Sequence, residues 1–227
     1  MAEIHDSALL LRRIPYSETS LICHFLTSEH GRISLMAKGA RRAKSPFRAA
    51  LYPLHRLVLT WRAGRTGMGT LIDIQREKAL VDESKSLVGL ELLSMASGLF
   101  QEGDPHGYEE LMQAVRLLSQ RQELEGVCSS AWTLLHEAGW IGDLSHCWHC
   151  GEEIAMDTTM YWMGAQLVCD ACGRGHAVSA GLRRSMLGVL EHGHIRLSDA
   201  DAMQWKQMIG LVLQEHGVKV PDSFRSL

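Results

Sequence analysis

The chain of 227 residues carries 23 Lys and Arg against 26 Asp and Glu, a formal net charge of −3, with 46% hydrophobic and 22% charged residues. This composition is that of a water-soluble globular protein large enough to bury a real core in one sizeable domain or in two to three small ones. No run reaches the roughly 18 uncharged apolar residues of a membrane-spanning helix. No secretory leader is read either, because Glu3 and Asp6 come early and residues 8–11 are too short an apolar run, so the expected location is cytoplasmic.

The small net charge hides an asymmetry. Residues 1–80 hold 13 basic and 6 acidic residues, whereas residues 81–227 hold 10 and 20, so +7 stands against −10. No carboxylate occurs between Glu29 and Asp73, and that window contains nine cations: Arg32, Lys38, Arg41, Arg42, Lys44, Arg48, Arg56, Arg62 and Arg65. The pattern implies a polyanion-binding surface in the N-terminal part.

In chain order, residues 8–12, 20–27, 32–37, 54–62 and 68–75 read as short strands rich in Leu, Ile, Val and Thr. They are separated by turn signals at Pro15 and Ser17, at residues 28–31 and at residues 64–69. Leu57, Leu59 and Trp61 alternate with Val58, Thr60 and Arg62, as one buried strand face requires. Five such strands imply a small closed or nearly closed barrel. The basic connection over residues 38–53 is long for a compact domain, and loops of that length are usually functional or disordered. Its first part, Lys38 to Arg48, packs five cations into eleven residues. Phe47, Tyr52 and Trp61 offer faces on which bases can stack, although the alternation places Trp61 in the core. The plain alternative is a solvated basic loop whose aromatics belong to the interior.

Near residue 85 the period changes from two to 3.6. Leu111, Met112, Val115 and Leu118 share one helix face, and Leu124, Val127, Cys128, Ala131, Leu135 and Ala138 share another. Asp104-Pro105 and Gly139 act as breaks. Leu182, Met186, Val189 and Leu190 form a later stripe, as do Trp205, Met208, Ile209, Val212 and Leu213. His192 and His194, flanking Gly193, read as a helix end. The segments form a helical bundle interrupted by a cysteine-rich insert at 146–178, with Met and Trp on the stripes read as core.

That insert contains Cys147-Trp-His-Cys150-Gly and Cys169-Asp-Ala-Cys172-Gly, with eighteen residues between Cys150 and Cys169. Two pairs at this spacing signal a zinc ribbon, with residues 161–163 and 166–168 forming a hairpin between them. Four thiolates saturate a tetrahedral Zn²⁺ and leave no position for water, so one structural zinc is expected. Redox chemistry would need a pair at a helix start in an α/β setting, which neither pair has. His146, His149 and His176 are read as bystanders. Cys23 and Cys128 are read as buried small hydrophobes.

The stretches LLRRIPYSETSL (residues 10–21) and TSEHGRISLMAKGARRAKSPFRAALYPL (residues 27–54), together with the cysteine quartet, resemble the RecO family of recombination mediators over essentially the whole chain. The match includes a Pro-Tyr-Ser-Glu turn, a Thr-x-x-x-Gly-Arg hairpin and an Ala-Lys-Gly-Ala-Arg motif. The resemblance implies an α+β protein: a five-stranded OB-fold barrel over residues 1–80, then an α-helical domain over 81–227 carrying the four-cysteine zinc ribbon. It further implies a non-enzymatic DNA repair protein, cytoplasmic and nucleoid-associated. Such a protein binds single- and double-stranded DNA, anneals complementary strands, and with RecR loads RecA onto DNA coated by single-strand-binding protein (SSB). The DNA role then falls to Arg12, Arg13, Arg32, Lys38, Arg41, Arg42, Lys44 and Arg48. The acidic, Phe-ending tail of SSB falls to the helical part, with Arg116 and Arg121 as anchors, although that region is acidic overall. Without the resemblance, an RNA-binding or transcription-associated protein built from the same parts stands equally open. Among enzymes, an ATPase is excluded by the lack of a G-x-x-x-x-G-K-[ST] loop. Paired carboxylates for a nuclease metal are missing from the basic window.

Overall fold

The computed structural model describes residues 2–64, 67–104, 106–191 and 195–225, so Arg65 of the basic window, Pro105 of the first break and the helix end at His192 to His194 lie outside the described residues. The chain divides into two compact units, Met1–Ser119 and Gln120–Leu227.

Alternating burial builds the sheet of the first unit. Along β4 (His55–Arg62), Leu57, Leu59 and Trp61 are buried, while Val58 and Thr60 are half-buried and Arg62 is exposed. The other strands are β1 (Ile4–Pro15), β2 (Leu21–Thr27), β3 (Gly31–Ala37) and β5 (Gly69–Ala79), and the five close into a barrel in the order β1-β2-β3-β5-β4. β1 serves both of its neighbours: it pairs with β4 through residues 4–8 and with β2 through residues 8–15, with a register shift at Leu10 to Arg12 that bends it around the barrel. The one parallel strand pairing among the described barrel strands, β3 with β5, completes an OB-type closure. Gly69 is required there, since a Cβ would lie 2.7 Å from Leu35 Cδ2 and 2.8 Å from the Arg62 carbonyl. Phe25, Leu10, Leu35, Leu57, Leu59 and Leu71 fill the interior. Each contributes about 1.5–3 kcal/mol of apolar burial. Cys23 is fully buried among them, which pushes its thiol up to about 12 and leaves it inert.

The β2–β3 turn is pinned from outside by Asp6, a buried carboxylate on β1. It accepts from Ser28 Oγ at 2.6 Å, from the Glu29 amide at 3.3 Å and from the His30 ring at 2.8 Å. Burial alone would raise its pKa, but these donors outweigh that and hold it below the usual carboxylate value.

The connection from β3 to β4 contains a short helix, α1 (Pro46–Ala50), with Pro46 in its first turn, where proline's missing N–H is no loss. After β5 come α2 (Ser86–Leu99) and α3 (Tyr108–Gln120). α2 packs on β1, and Arg32 of β3 reaches its C-terminal end, donating from Nη1 to the carbonyls of Ser97 at 2.7 Å and Phe100 at 3.0 Å. The Gly103 amide returns a bond to the Arg32 carbonyl. The barrel therefore ends at Ala79, and the compact unit that contains it extends through α2 and most of α3.

In the second unit, α4 (Glu123–Glu137), α5 (Ala180–Leu190) and α6 (Asp199–Glu215) pack around Trp132, whose ring lies 5.6 Å from that of Trp205 and 6.1 Å from that of Trp162. Ser179 and Ser198 cap α5 and α6 by accepting from the Leu182 and Asp201 amides. Gly139, at φ +75°, follows the end of α4. The expected stripes are buried at Leu182, Met186, Val189, Trp205, Met208, Ile209, Val212 and Leu213, and Cys128 is fully buried. Leu124 departs from its expected face: it sits in the first turn of α4 and is 39% exposed. β6 (Met160–Met163), β7 (Gln166–Val168) and β8 (His176–Val178) form a three-stranded sheet in the order β7-β6-β8, in which β6 and β7 are the expected hairpin. No described helix is long and apolar enough to cross a membrane.

Candidate nucleic-acid interface and metal centre

The eight described cations of the acid-free window sort into classes once placed on the barrel. On β4, Arg62 pairs with Glu3 at 2.7 Å and Arg56 with Glu77 at 3.8 Å, carboxylates from outside the window. Arg32 is half-buried and held by α2. Arg41 donates its guanidinium to the Ser17 carbonyl and its amide to the Thr19 carbonyl, which fastens the loop after β3 to the β1–β2 turn. Arg13 on β1 donates to the Leu51 carbonyl at 2.9 Å, anchoring the far end of the same connection. Arg12, Lys38, Arg42, Lys44 and Arg48 are exposed and form no side-chain hydrogen bond or ion pair among the described residues.

Of the eight cations expected to meet DNA, three thus shape the surface and five stand clear of it. Ala40 is buried against the barrel core, so the loop is seated at that residue while its cations face water. Clustered cations with no internal counter-charge repel one another, and an external polyanion relieves that repulsion. Of the aromatics, Trp61 is buried and Phe47 packs partly into the core, while Tyr52 is 52% exposed. Sequence reasoning missed Tyr16, which is 61% exposed in the β1–β2 turn; its signal is the Pro15-Tyr16-Ser17 turn itself. Arg116 is exposed on α3 in the first unit, and Arg121 is half-buried in the second, following α3.

The four cysteines of the insert converge. The Sγ atoms of Cys147, Cys150, Cys169 and Cys172 all lie within 4.8 Å of one another, the one such group of potential metal ligands among the described residues. A tetrahedral ion with sulfur at about 2.3 Å has sulfur–sulfur edges of about 3.8 Å, and Cys150 Sγ to Cys169 Sγ is 3.9 Å. The local backbone is shaped for this. Gly151, at φ +72°, turns the first knuckle so that its amide donates to the Cys147 carbonyl, and the Gly173 amide donates to the Cys169 carbonyl in the second. The Cys169 amide points at Cys147 Sγ at 3.4 Å. Burial opposes ionisation of Cys147, but the amides of Cys150, Cys169 and His149 overcome it and bring that thiol down to about 6. Cys172 is pushed upward, chiefly by its hydrogen bonds with Cys169 and Cys150. One thiolate forms readily, and a cation is what allows the rest to follow. The group can hold a metal ion. His146 is engaged by Asp143 at 2.6 Å and stands outside the cluster.

Arg183 of α5 buttresses the insert. Fully buried, it donates to the carbonyls of Ile154 at 2.9 Å, Ala155 at 2.6 Å and Thr158 at 3.4 Å.

A five-stranded barrel with a basic loop, followed in the chain by helices that carry a four-cysteine sheet, defines an α+β protein of the barrel-and-ribbon type. The domain families described as Recombination protein O N terminal and Recombination protein O C terminal match residues 1–77 and 82–222. The chain is 30% identical over 172 residues to the DNA repair protein RecO of Actinobacillus pleuropneumoniae serotype 7, covering 70% of this chain and 68% of that one. It is 32% identical to the DNA repair protein RecO of an Azoarcus species, covering 74% and 72%, and 32% identical to that of Vibrio parahaemolyticus, covering 70% and 67%. The chain belongs to the RecO family of DNA repair proteins.

Proposed function

We propose that this protein is a recombination mediator that binds single- and double-stranded DNA, anneals complementary strands without nucleotide hydrolysis, and works with RecR to load RecA onto SSB-coated DNA. The observation that carries the reading is the connection from β3 to β4, where Lys38, Arg42, Lys44 and Arg48 are exposed and form no side-chain hydrogen bond or ion pair among the described residues. With Arg12 they meet phosphates, while Arg13, Arg32 and Arg41 hold the surface in shape. Charge neutralisation lets two strands approach, and base pairing then drives annealing, so the protein need not act as an enzyme. The metal is a single zinc on Cys147, Cys150, Cys169 and Cys172. It holds the ribbon together and has no open coordination position for chemistry. Arg116 and Arg121 are the candidate cations for the acidic tail of SSB, and the site of action is the cytoplasm, at the nucleoid.

The test is annealing of SSB-coated complementary strands without nucleotide or Mg²⁺, run beside salt titrations of binding to single-stranded DNA and to RNA of equal length. Replacing Lys38, Arg42 and Lys44 by Gln should lower the slope of log affinity against log salt by about 2 on single strands, and annealing should fall with it. A strict need for ATP, or a slope unchanged in a folded triple variant, would overturn the reading.

A further inference from the structure

The β1–β2 turn holds one large aromatic side chain out in water on a rigid support. The Tyr16 amide donates to the Ser20 carbonyl at 3.2 Å, and the Ser20 amide donates to Ser17 Oγ at 3.2 Å. From the other side, the Arg41 amide and guanidinium bond the Thr19 and Ser17 carbonyls. Pro15, immediately before Tyr16, fixes its own φ as the chain leaves β1. The Tyr16 ring itself is 61% exposed and makes no hydrogen bond, ring contact or cation contact among the described residues.

Tyr52 is different. Its ring meets His55 edge-on at 5.5 Å and carries the Arg76 guanidinium 5.5 Å from its centroid, so one face is already in use. The Tyr16 turn also differs from the loop that Arg41 ties to it. It contains Glu18 and no cation, so it does not attract phosphate, whereas Lys38, Arg42 and Lys44 do. A planar apolar face beside a phosphate-binding loop suits the other half of a nucleotide. Every base offers a π-face, and only an unpaired base can present it.

We propose that Tyr16 is a stacking platform for an unpaired nucleobase of a strand whose phosphates lie along Lys38, Arg42 and Lys44, so that this turn gives the barrel a preference for single-stranded over duplex DNA. The inference rests on the reading of that loop as the DNA surface. Because the turn is held by four hydrogen bonds before any ligand arrives, its backbone is ordered in advance, and only the rotamer freedom of the Tyr16 side chain is left to lose when a base settles on it.

The experiment measures fluorescence anisotropy of the full-length protein with three labelled probes of equal length: an oligothymidine, the same sugar–phosphate strand without bases, and a blunt duplex. Tyr16→Ala should weaken oligothymidine binding roughly 5- to 150-fold, the range of one base–aromatic stack. Tyr16→Phe should restore it to within about twofold, since stacking needs the ring and not the phenol. On the base-free strand wild type and Tyr16→Ala should bind alike, and the ratio of single-strand to duplex affinity should fall in Tyr16→Ala. The salt slope should be unchanged in Tyr16→Ala, because no ion pair is lost. Equal affinity of Tyr16→Ala and wild type for oligothymidine, with the wild-type slope intact, overturns the stacking role alone. Equal losses on oligothymidine and the base-free strand overturn it too, because they mean a disturbed turn. A wild-type protein with no salt-dependent binding to any probe overturns the loop reading, and the stacking role with it.

Discussion

Arg32 is one of three cations for which sequence and structure point to different roles, and its replacement by Ala separates them. Its guanidinium bridges two carbonyls at the end of α2, 65 and 68 residues away in the chain, at 2.7 and 3.0 Å. Hydrogen bonds from a charged donor are each worth about 1.5–3 kcal/mol, and a cation at a helix C-terminus adds about 0.3–1 kcal/mol. Arg32 is only half-buried, so the lower ends of these ranges apply and Arg32→Ala should cost about 3 kcal/mol. For a unit of this size each kcal/mol is worth about 4 °C in midpoint, so the barrel transition should fall by about 12 °C. Calorimetry reads the midpoint, and a salt titration of DNA binding below the transition reads phosphate contact. Arg32→Ala should leave the salt slope as it is. Arg32→Lys should recover only part of the stability, because the ammonium ends one bond short of Nη1, the single nitrogen that donates to both carbonyls. A variant with the wild-type midpoint and a slope lower by about 0.7–0.9 would refute the reasoning and return Arg32 to the DNA surface.

Two further outcomes follow from the site chemistry. Elemental analysis should find about one zinc per chain, and Cys169→Ser should lose it and broaden or abolish the melting of the second unit; full metal content in that variant would be the contrary result. Asp6 has a folded pKa below its ordinary value of 3.8, so its contribution is present above that pH and is lost as pH falls through the lower folded value. Asp6→Asn should therefore melt earlier than wild type at neutral pH, with the gap closing below about pH 3.8; a gap independent of pH in a series of melts would contradict the assignment.

What was legible in the sequence followed periodicity and spacing. The alternation through Leu57, Leu59 and Trp61 is the buried face of β4, and the hairpin read between the cysteine pairs is β6 and β7. The quartet was legible because two tight pairs constrain sulfur positions almost irrespective of what surrounds them. α1 went unread inside the basic connection, although Ser45-Pro46 is a helix-start signal. The 3.6 period near residue 85 marks the end of the barrel, which is a different matter from how the chain divides into compact units. That division depends on contacts such as Arg32 with the Ser97 carbonyl, and no local pattern encodes a guanidinium reaching a backbone oxygen 65 residues away. For the same reason, Arg13 and Arg41 could not be told from Arg12 and Arg42 by sequence. Charge is written in the residue, but whether a carbonyl satisfies it is decided by the fold.

The Arg183 clasp has a consequence for the order of events during synthesis. The carbonyls it holds, those of Ile154, Ala155 and Thr158, precede it by 25 to 29 residues. At 5–20 residues per second the ribosome takes about 1–6 s to supply the donor after making the acceptors. Cys172, the last sulfur of the cluster, is translated before Arg183. The nascent chain therefore holds a complete set of thiols while the loop beside them still lacks its buttress, so metal capture can come first and closure of the loop second.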